Sequence, residues 1–402
     1  MINHKKFFWL IILISINFIK IDETKMFEIN LTRYIKKFYN KILIQNNFAS
    51  ELNETEKYIS KLKNGLIEKI NYDKEINKPI ISILVSVYNK ENYLNNFLLS
   101  IQNQLFEEYE LIIVDDFSND RSIQIIQNFE KIDKRIKFIR NQKNYGSLYA
   151  RYIGAIHAKG KYFIFFDSDD IVLKKILFKL YKFIQIHNID IIEFHPIMYI
   201  NQSSIDINRR YYHYNKKVIQ PYLSYIFYYY FSFDISEQNT ALWNKLIKKD
   251  VILLSFKYIG YNYLREKIII ENDVILLFSF FQNSKSYQYI DEIGYLYFRH
   301  NNSISKSFGP HNADEIIHSV FFNLRFLFEK TNKLLINKSF CLYKLWQIFK
   351  RYKNIFQYIT NEKIFALQIL NNIENSEFIS DENKNFIQQV KLYINKSNIY
   401  HI

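Results

Sequence analysis

Short apolar runs and longer helical segments alternate through the middle of the chain. Apolar runs with the length of strands buried on both faces lie at 80–87, 110–114, 136–140 and 162–166. Segments with helical spacing of apolar residues separate them, at 91–104, 120–131 and 147–159. Because a single helix follows each strand, right-handed parallel crossovers are expected. The pattern therefore predicts an α/β fold with a doubly wound, mostly parallel sheet.

The regions on either side of this block have a different pattern. Residues 26–78 are charged and favour helix, which predicts a helical stem. Pro79 marks its end, because the residue before a proline is pushed out of the helical conformation. The α/β block is predicted to span 79–308, and a helical C-terminal region is predicted for 309–402. Amphipathic helices are expected there at 321–328, 342–356 and 364–373.

The first 25 residues have the pattern of a targeting segment. A basic start, with Lys5 and Lys6, precedes the apolar run from Phe7 to Ile19. This run suits the core of a signal peptide better than a full membrane span of about 20 residues, yet no good pair of small residues for cleavage follows it. A cleaved signal peptide and an uncleaved signal anchor both remain possible. Either one predicts the secretory pathway, in the lumen of the ER or Golgi, and the anchor would attach the chain to the membrane.

Composition and charge exclude several classes of protein. Hydrophobic residues make up 49% of the 402 residues, which excludes a disordered chain. Cys341 is the one cysteine, so an intramolecular disulfide framework and a cysteine-rich zinc site are excluded. The net charge of +14 is scattered along the chain, and no nucleic-acid partner is predicted from it.

Polar residues follow three of the predicted strands at the same end. Carboxylates come directly after the strands at 110–114 and 162–166, and the carboxyl ends of parallel strands form the edge where ligands bind. The three carboxylates that follow the strand at 162–166 would repel one another unless a cation neutralises them. Carboxylate oxygens are suitable ligands for Mg²⁺ or Mn²⁺. Capping of the next helix is the alternative explanation. The residues are Ser86, Tyr88 and Asn89, then Asp115 and Asp116, then Asp167, Asp169 and Asp170.

Several segments between Pro79 and about Phe194 resemble, in the same order along the chain, the inverting nucleotide-sugar glycosyltransferases of family 2, which have the GT-A fold. The segments are PIISILVSVYNKENYL (79–94), ELIIVDDFSND (110–120) and NYGSLYARYIGAIHAKGKYFIFFDSDD (144–170). The resemblance implies that 79–308 is a catalytic domain of hexosyl-transferring type. It also implies a nucleotide-diphosphate-sugar donor, usually with UDP, and inversion at the anomeric carbon.

The same resemblance assigns the metal motif. Asp167-Ser168-Asp169 matches the family's DXD pattern, in which Asp169 is the metal ligand and Asp167 supports the metal directly or through water. The implied cofactor is Mn²⁺ or Mg²⁺, because the charge that develops on a leaving diphosphate has to be neutralised.

Further donor contacts are implied in the first half of the domain. Asp116 matches the residue that accepts a hydrogen bond from the donor base, and Ser86 and Tyr88 match those around the base and ribose. Arg151 matches the residue that faces the diphosphate, a role that suits its planar, permanently charged guanidinium.

Two residues after the first strand have a second explanation. Asn89 and Glu91 match the family's donor-binding pattern, but they also lie where a helix is predicted to begin. There Asn89 would cap the helix and Glu91 would favour its first turn.

Further along, Trp243 would either stack on a sugar ring or pack in the core.

An inverting transfer also needs a general base on the acceptor side. In the family this base is usually the aspartate of a Glu-Asp pair at the start of a helix, and the chain has Asn272-Asp273 there, with Glu271 one residue earlier. Asp273 is favoured over Glu271, and simple helix capping by both is the alternative. The acceptor would be a glycan, a glycoprotein or a lipid-linked acceptor.

Two other classes of function compete with this one. A catalytically inactive, glycosyltransferase-like binding protein is the first. The altered Asn272 keeps this alternative open, and the intact Asp116, Arg151, Asp167 and Asp169 argue against it. A nucleotidyltransferase would need a glycine-rich basic loop after the first strand, and YNKENYL contains no glycine.

Overall fold

A computed structural model describes two compact units, Met1–Glu68 and Lys69–Ile402. Within them the described residues are 54, 57–62, 64–74, 76–200, 204–206, 218–219, 241–299, 310–330, 345, 348–349, 352, 354–358, 361–375 and 381–396. The predicted targeting segment 1–25 lies outside these residues, as does the stem from 26 to 53.

The first unit contains a short helix over residues 57–62. The helix ends in a glycine turn, in which the Leu66 N–H donates to the Lys61 carbonyl at 2.9 Å and the Gly65 N–H donates to the Leu62 carbonyl at 3.3 Å. Gly65 has a φ of 65°, which a glycine adopts at no steric cost. The described residues from 66 to 78 contain no helix, so the predicted helical stem is wrong over this stretch. No helix among the described residues is long and apolar enough to cross a membrane.

A ten-stranded sheet forms the centre of the second unit, in the order β3-β2-β1-β4-β9-β6-β10-β5, with β7 beside β6 and β8 beside β10. The strands are β1 Ile81–Val87, β2 Tyr109–Asp115, β3 Ile136–Arg140, β4 Tyr162–Asp167, β5 Ile171–Val172, β6 Ile191–Ile200, β7 Ser204–Asp206, β8 Val218–Ile219, β9 Lys245–Lys248 and β10 Ser286–Arg299.

The sheet has two halves that differ in strand direction. β1 to β4 are all parallel, and the register places Ser86 of β1 beside Val114 of β2 and Asp167 of β4. β9 then runs antiparallel to both β4 and β6, while β10 is parallel to β6 and antiparallel to β5. The predicted α/β fold with a mostly parallel sheet is therefore confirmed.

Helices cover the sheet and extend the core towards the C-terminus. They are α1 Glu91–Gln102, α2 Ser122–Ile132, α3 Ser147–His157, α4 Ile176–Ile186, α5 Lys249–Ile259, α6 Tyr261–Leu264, α7 Asn272–Asn283, α8 Ala313–Lys330, α9 Lys363–Glu374 and α10 Asp381–Lys396. Phe278 of α7 and Phe326 of α8 meet edge to face at 6.1 Å. Both are buried, so α8 belongs to the same hydrophobic core as α7.

Candidate functional site

Asp116 lies just after β2 and holds the loop that leads into α3. Its Oδ1 accepts hydrogen bonds from Asn141 Nδ2 at 2.8 Å and from the Tyr145 N–H at 3.0 Å, and its Oδ2 accepts from the Gly146 N–H at 2.7 Å. Gly146 has a φ of 90°, a backbone conformation that favours glycine. A carboxylate has about four acceptor positions, so one is left for a ligand.

Asp115 is a second carboxylate at the same strand end, and the sequence analysis gave it no role. It is fully buried, and its Oδ2 accepts a hydrogen bond from the Ser118 N–H at 3.0 Å. Its Oδ1 has no hydrogen-bond partner in the described part of the chain. Its Oδ2 also lies 3.5 Å from Arg140 Nε, so Asp115 is a buried, ion-paired carboxylate at this strand end.

The turn between β1 and α1 is tied to the loop after β2. Asn89 adopts a left-handed φ of 51°, and its side-chain oxygen accepts from the Asn119 N–H at 2.9 Å. Glu91 accepts hydrogen bonds from both the backbone N–H and the side chain of Arg121. These contacts give both residues a structural role. Tyr88 is 44% exposed beside this turn.

The carboxylates after β4 have different partners. Asp170 is buried and accepts hydrogen bonds from the Tyr295 hydroxyl at 2.6 Å and the Phe298 N–H at 2.7 Å. Desolvation, with repulsion from the neighbouring carboxylates, raises the pKa of Asp170 well above its ordinary value. Ser168 is also buried and donates to the Ser86 carbonyl at 3.2 Å. Asp170 and Ser168 therefore fix the motif to β10 and β1.

Lys90 forms an ion pair with Asp169 of the DXD motif. The distance from Lys90 Nζ to Asp169 Oδ2 is 2.5 Å, and the two side chains are 21% and 17% exposed. Desolvation lowers the pKa of Lys90, but the attraction of Asp169, Asp167 and Asp170 outweighs it and leaves the pKa above its ordinary value. No motif in the sequence predicted this role for Lys90.

Arg151 joins the end of β4 to the start of α7. Its side chain is 7% exposed, and one guanidinium nitrogen donates to Asp167 Oδ1 at 3.1 Å. The other donates to Asp273 Oδ1 at 2.6 Å and to Asn272 Oδ1 at 2.5 Å. Desolvation raises the pKa of Asp167 to about 6, with further increases from Asp273 and Asp169 that Arg151 opposes.

Asn272 has a structural reason to be an amide. Its Oδ1 accepts from Arg151, and its Nδ2 donates to the Ser147 hydroxyl at 2.7 Å. A glutamate at this position would have no donor for Ser147 Oγ when ionised. An amide at position 272 therefore keeps the Ser147 contact together with the Arg151 contact.

Glu271 has different neighbours from Asp273. It adopts a φ of 57° before α7, and its Oε1 accepts a hydrogen bond from the Tyr352 hydroxyl at 3.1 Å. Its backbone carbonyl accepts from Asn323 Nδ2 at 3.3 Å. Glu271 is thus bound to the C-terminal helical region, while Asp273 is bound to Arg151.

A buried polar cluster supports the strands beside β4. Glu193, Asn244 and Lys245 are fully buried, and Lys245 Nζ lies 3.4 Å from Glu193 Oε2. Asn244 Nδ2 donates to Glu193 Oε1 at 3.1 Å, and the Tyr287 hydroxyl donates to Glu193 Oε2 at 3.0 Å. Desolvation lowers the pKa of Lys245. The sequence contained one indication of this cluster, a polar pair inside the apolar run LWNKLI.

Trp243 belongs to an aromatic stack. Its ring lies 4.7 Å from that of Tyr295 and 5.7 Å from that of Tyr297, nearly parallel to both. It is 7% exposed, which favours the core position over a sugar platform. Since the Tyr295 hydroxyl also accepts from the Asp167 N–H at 3.1 Å, the stack positions the carboxylate motif.

A metal would have two carboxylates here, Asp167 and Asp169. The described residues contain no group of three or more histidine, cysteine, aspartate or glutamate side chains that could hold a metal ion. The donor set nevertheless fits Mg²⁺ or Mn²⁺, because such ions commonly bind one or two carboxylates together with substrate phosphates.

Residues 82–252 match the model of a known family, Glycosyl transferase family 2. This stretch of the chain is therefore similar to the glycosyltransferases of family 2. The matched stretch contains the residues at the ends of β1, β2 and β4, as well as Arg151, Trp243 and Lys245. Asp273 lies beyond the matched range.

Curated glycosyltransferases are similar to the chain over shorter stretches. An uncharacterized glycosyltransferase of Haemophilus influenzae is 47% identical over 97 residues, which cover 24% of the chain and 39% of the relative. The putative teichuronic acid biosynthesis glycosyltransferase TuaG of Bacillus subtilis is 39% identical over 23% of the chain and 37% of its own length. The chain therefore spans less than half the length of these relatives.

One curated relative matches a longer stretch of the chain at lower sequence identity. The cholesterol galactosyltransferase of Borreliella burgdorferi is 26% identical over 58% of the chain and 63% of its own length. The crystal structure of Staphylococcus aureus TarS 1-349 in complex with UDP-GlcNAc superimposes with a TM-score of 0.58 at 17% identity, covering 79% of the chain and 88% of TarS 1-349. This likeness confirms the predicted GT-A fold.

Proposed function

We propose that this chain is an inverting glycosyltransferase that moves a sugar from a UDP-sugar to a hydroxyl group of a glycan, glycoprotein or lipid-linked acceptor. One observation carries the proposal: Arg151 binds Asp167 of the DXD motif and Asp273 at the start of α7. A carboxylate motif for the donor and a candidate base for the acceptor are thus held by one side chain. Similarity to the putative glycosyltransferase TuaG and to TarS in complex with UDP-GlcNAc supports the reaction class and the nucleotide.

The donor would lie along the carboxyl ends of β1, β2 and β4. Asp116 has one remaining acceptor position for the N–H of a uracil base, and Ser86 and Tyr88 lie at the same edge. The diphosphate would lie over Asp167 and Asp169. When bound, Mn²⁺ or Mg²⁺ would supply positive charge to the leaving diphosphate.

Asp273 is the base that we favour. It would accept the proton of the attacking hydroxyl while the hydroxyl oxygen forms its bond to the anomeric carbon. The bond from that carbon to the diphosphate oxygen breaks in the same step, and its electron pair leaves with UDP. Arg151 would orient Asp273 through the 2.6 Å contact, whereas Glu271 is engaged by Tyr352.

One observation each supports the cellular location and the class of acceptor. The N-terminal segment supports an acceptor in the secretory pathway, reached through a signal peptide or a signal anchor. The similarity to a cholesterol galactosyltransferase supports a lipid hydroxyl as one acceptor to test.

The test is binding and slow hydrolysis of a panel of UDP- and GDP-sugars by the full chain, with and without Mn²⁺. Asp169→Asn should lose Mn²⁺-dependent turnover of the donor by at least about a hundredfold, the loss that follows removal of one charge-stabilising group. Asp250→Asn, an exposed aspartate on α5, is the matched control and should behave as wild type. Absence of donor binding by the wild type would leave the inactive-relative alternative in its place.

A further inference from the structure

Lys90 is held by a rigid backbone in front of the metal motif. Its N–H donates to the Ser122 hydroxyl at 2.9 Å, and the N–H of Asn89 donates to the Ser118 hydroxyl at 2.9 Å. Two consecutive peptide groups are therefore anchored, one to the loop after β2 and one to the first residue of α2. The side chain starts from a fixed point, and its four-carbon stem is the part free to change direction.

The Lys90 ammonium now lies where a divalent cation would bind Asp169. Its Nζ is 2.5 Å from Asp169 Oδ2 in a largely enclosed pair. Arg151 has the same relation to Asp167, at 3.1 Å. Both carboxylates of the DXD motif are thus neutralised by side chains of the protein. A metal that arrives alone has to compete with Lys90 and finds two carboxylate ligands at most.

A diphosphate changes this balance. It offers oxygen ligands to the metal, and it offers the Lys90 ammonium a new anionic partner within the same site. The exchange balances in charge and in contacts. The Lys90–Asp169 pair opens, Asp169 binds the metal, and Lys90 binds a phosphate oxygen.

We propose that Lys90 is the counter-ion of Asp169 before the donor binds and a diphosphate ligand afterwards, so that metal and nucleotide enter the site as a pair. This inference rests on the proposed function, since it requires a nucleotide diphosphate. Lys90 thereby gains a binding role that the DXD motif does not include.

The test is Mn²⁺ affinity, measured on the full chain from the electron paramagnetic resonance signal of free Mn²⁺, with and without UDP. In the wild type, UDP should tighten Mn²⁺ binding by about 5- to 150-fold, the usual range of coupling between two ligands. Lys90→Met should bind Mn²⁺ alone at least about fivefold more tightly than the wild type and should lose most of the coupling. Lys90→Gln should show the same two changes, and Lys90→Arg should behave as wild type.

Lys179→Met is the matched control, because Lys179 Nζ forms a 2.5 Å pair with Glu292 on α4 and β10. It should change neither affinity. Unaltered Mn²⁺ affinity and coupling in Lys90→Met, with normal UDP binding by the wild type, would overturn the role of Lys90 and leave the proposed function standing. A wild type that binds no UDP under any condition would overturn both.

Discussion

The two halves of the sheet use polar residues in opposite ways. In the half formed by β1 to β4, polar side chains lie at the strand ends and are held by loop backbone, as Asp116 is by the N–H groups of Tyr145 and Gly146. In the half formed by β9, β6 and β10, the polar side chains lie inside the core, as Lys245 and Glu193 do. The proposed ligand site therefore lies in the first half, whereas the buried polar residues of the second half hold its strands together.

The difference shows where the site depends on tertiary structure. Arg151 comes from the first half and Asp273 begins the helix that leads into the second, and their contact joins residues 122 positions apart in the chain. The proposed base is therefore oriented only when both halves are correctly packed.

The largest effect is expected from the proposed base. Asp273→Asn should lower kcat by about 10² to 10⁴-fold, the usual contribution of a general base. UDP binding should stay close to wild type, because the donor contacts belong to the first half. Glu271→Gln is the control and should retain most activity. A reversal of these two results would make Glu271 the base.

The second largest effect concerns the core of the second half. Lys245→Met should lower the free energy of unfolding by about 3–5 kcal/mol, because Glu193 would be left as a buried charge without its partner. Lys248→Met is the matched control: it removes a 2.7 Å pair with Asp190 that is 24% and 12% exposed, and should cost about 0–1 kcal/mol. Urea denaturation measures both. Equal losses would show that the buried pair has no special weight.

A smaller effect on stability is expected from alanine substitutions at two glycines of the first half, Gly160 and Gly154. A Cβ on Gly160 would lie 2.5 Å from Ser82 Oγ and 2.7 Å from the Ser82 backbone nitrogen, so Gly160→Ala should cost about 1–3 kcal/mol of unfolding free energy. A Cβ on Gly154, inside α3, would lie 3.6 Å from Val114 Cγ2, an ordinary contact. Gly154→Ala should therefore be neutral or stabilise by up to about 1 kcal/mol. Similar stability of the two variants would contradict the packing described for Ser82.

The smallest effect is a pH dependence at the DXD motif. In the folded chain the pKa of Asp167 is raised to about 6, above its unfolded value, so the folded state binds its proton more tightly. The stability that this provides is present at low pH and is lost as pH rises through about 6. Without metal, Asp167→Asn should melt higher than wild type at neutral pH and no higher at a pH of about 4. A constant difference in melting temperature at all pH values would contradict this.

The parallel half of the fold could be predicted because its signals are local. Each apolar run is long enough to identify a buried strand, and the polar residues follow the runs directly. Parallel strands then bring Ser86, Asp115 and Asp167 to one edge. The prediction of a helical stem was wrong for the described residues beyond residue 62, because the left-handed turn at Gly65 ends the helix despite the helix-favouring composition around it.

The pairings within the site could not be predicted in this way. No short-range pattern indicates that Lys90 binds Asp169, that Arg151 binds Asp273, or that Tyr352 binds Glu271. Each contact joins residues from elements that meet only in the folded chain. The same holds for the burial of Lys245, since a lysine in a sequence is far more often exposed.

The most direct test of the account is the stereochemistry of transfer. The full chain would be supplied with an α-linked UDP-sugar, Mn²⁺ and a simple alcohol at high concentration, since the glycoside formed cannot change its anomeric configuration afterwards. Proton NMR of the product should show the β-glycoside, as expected for a single displacement with Asp273 as the base. Formation of the α-glycoside would contradict the inverting mechanism and the role of Asp273.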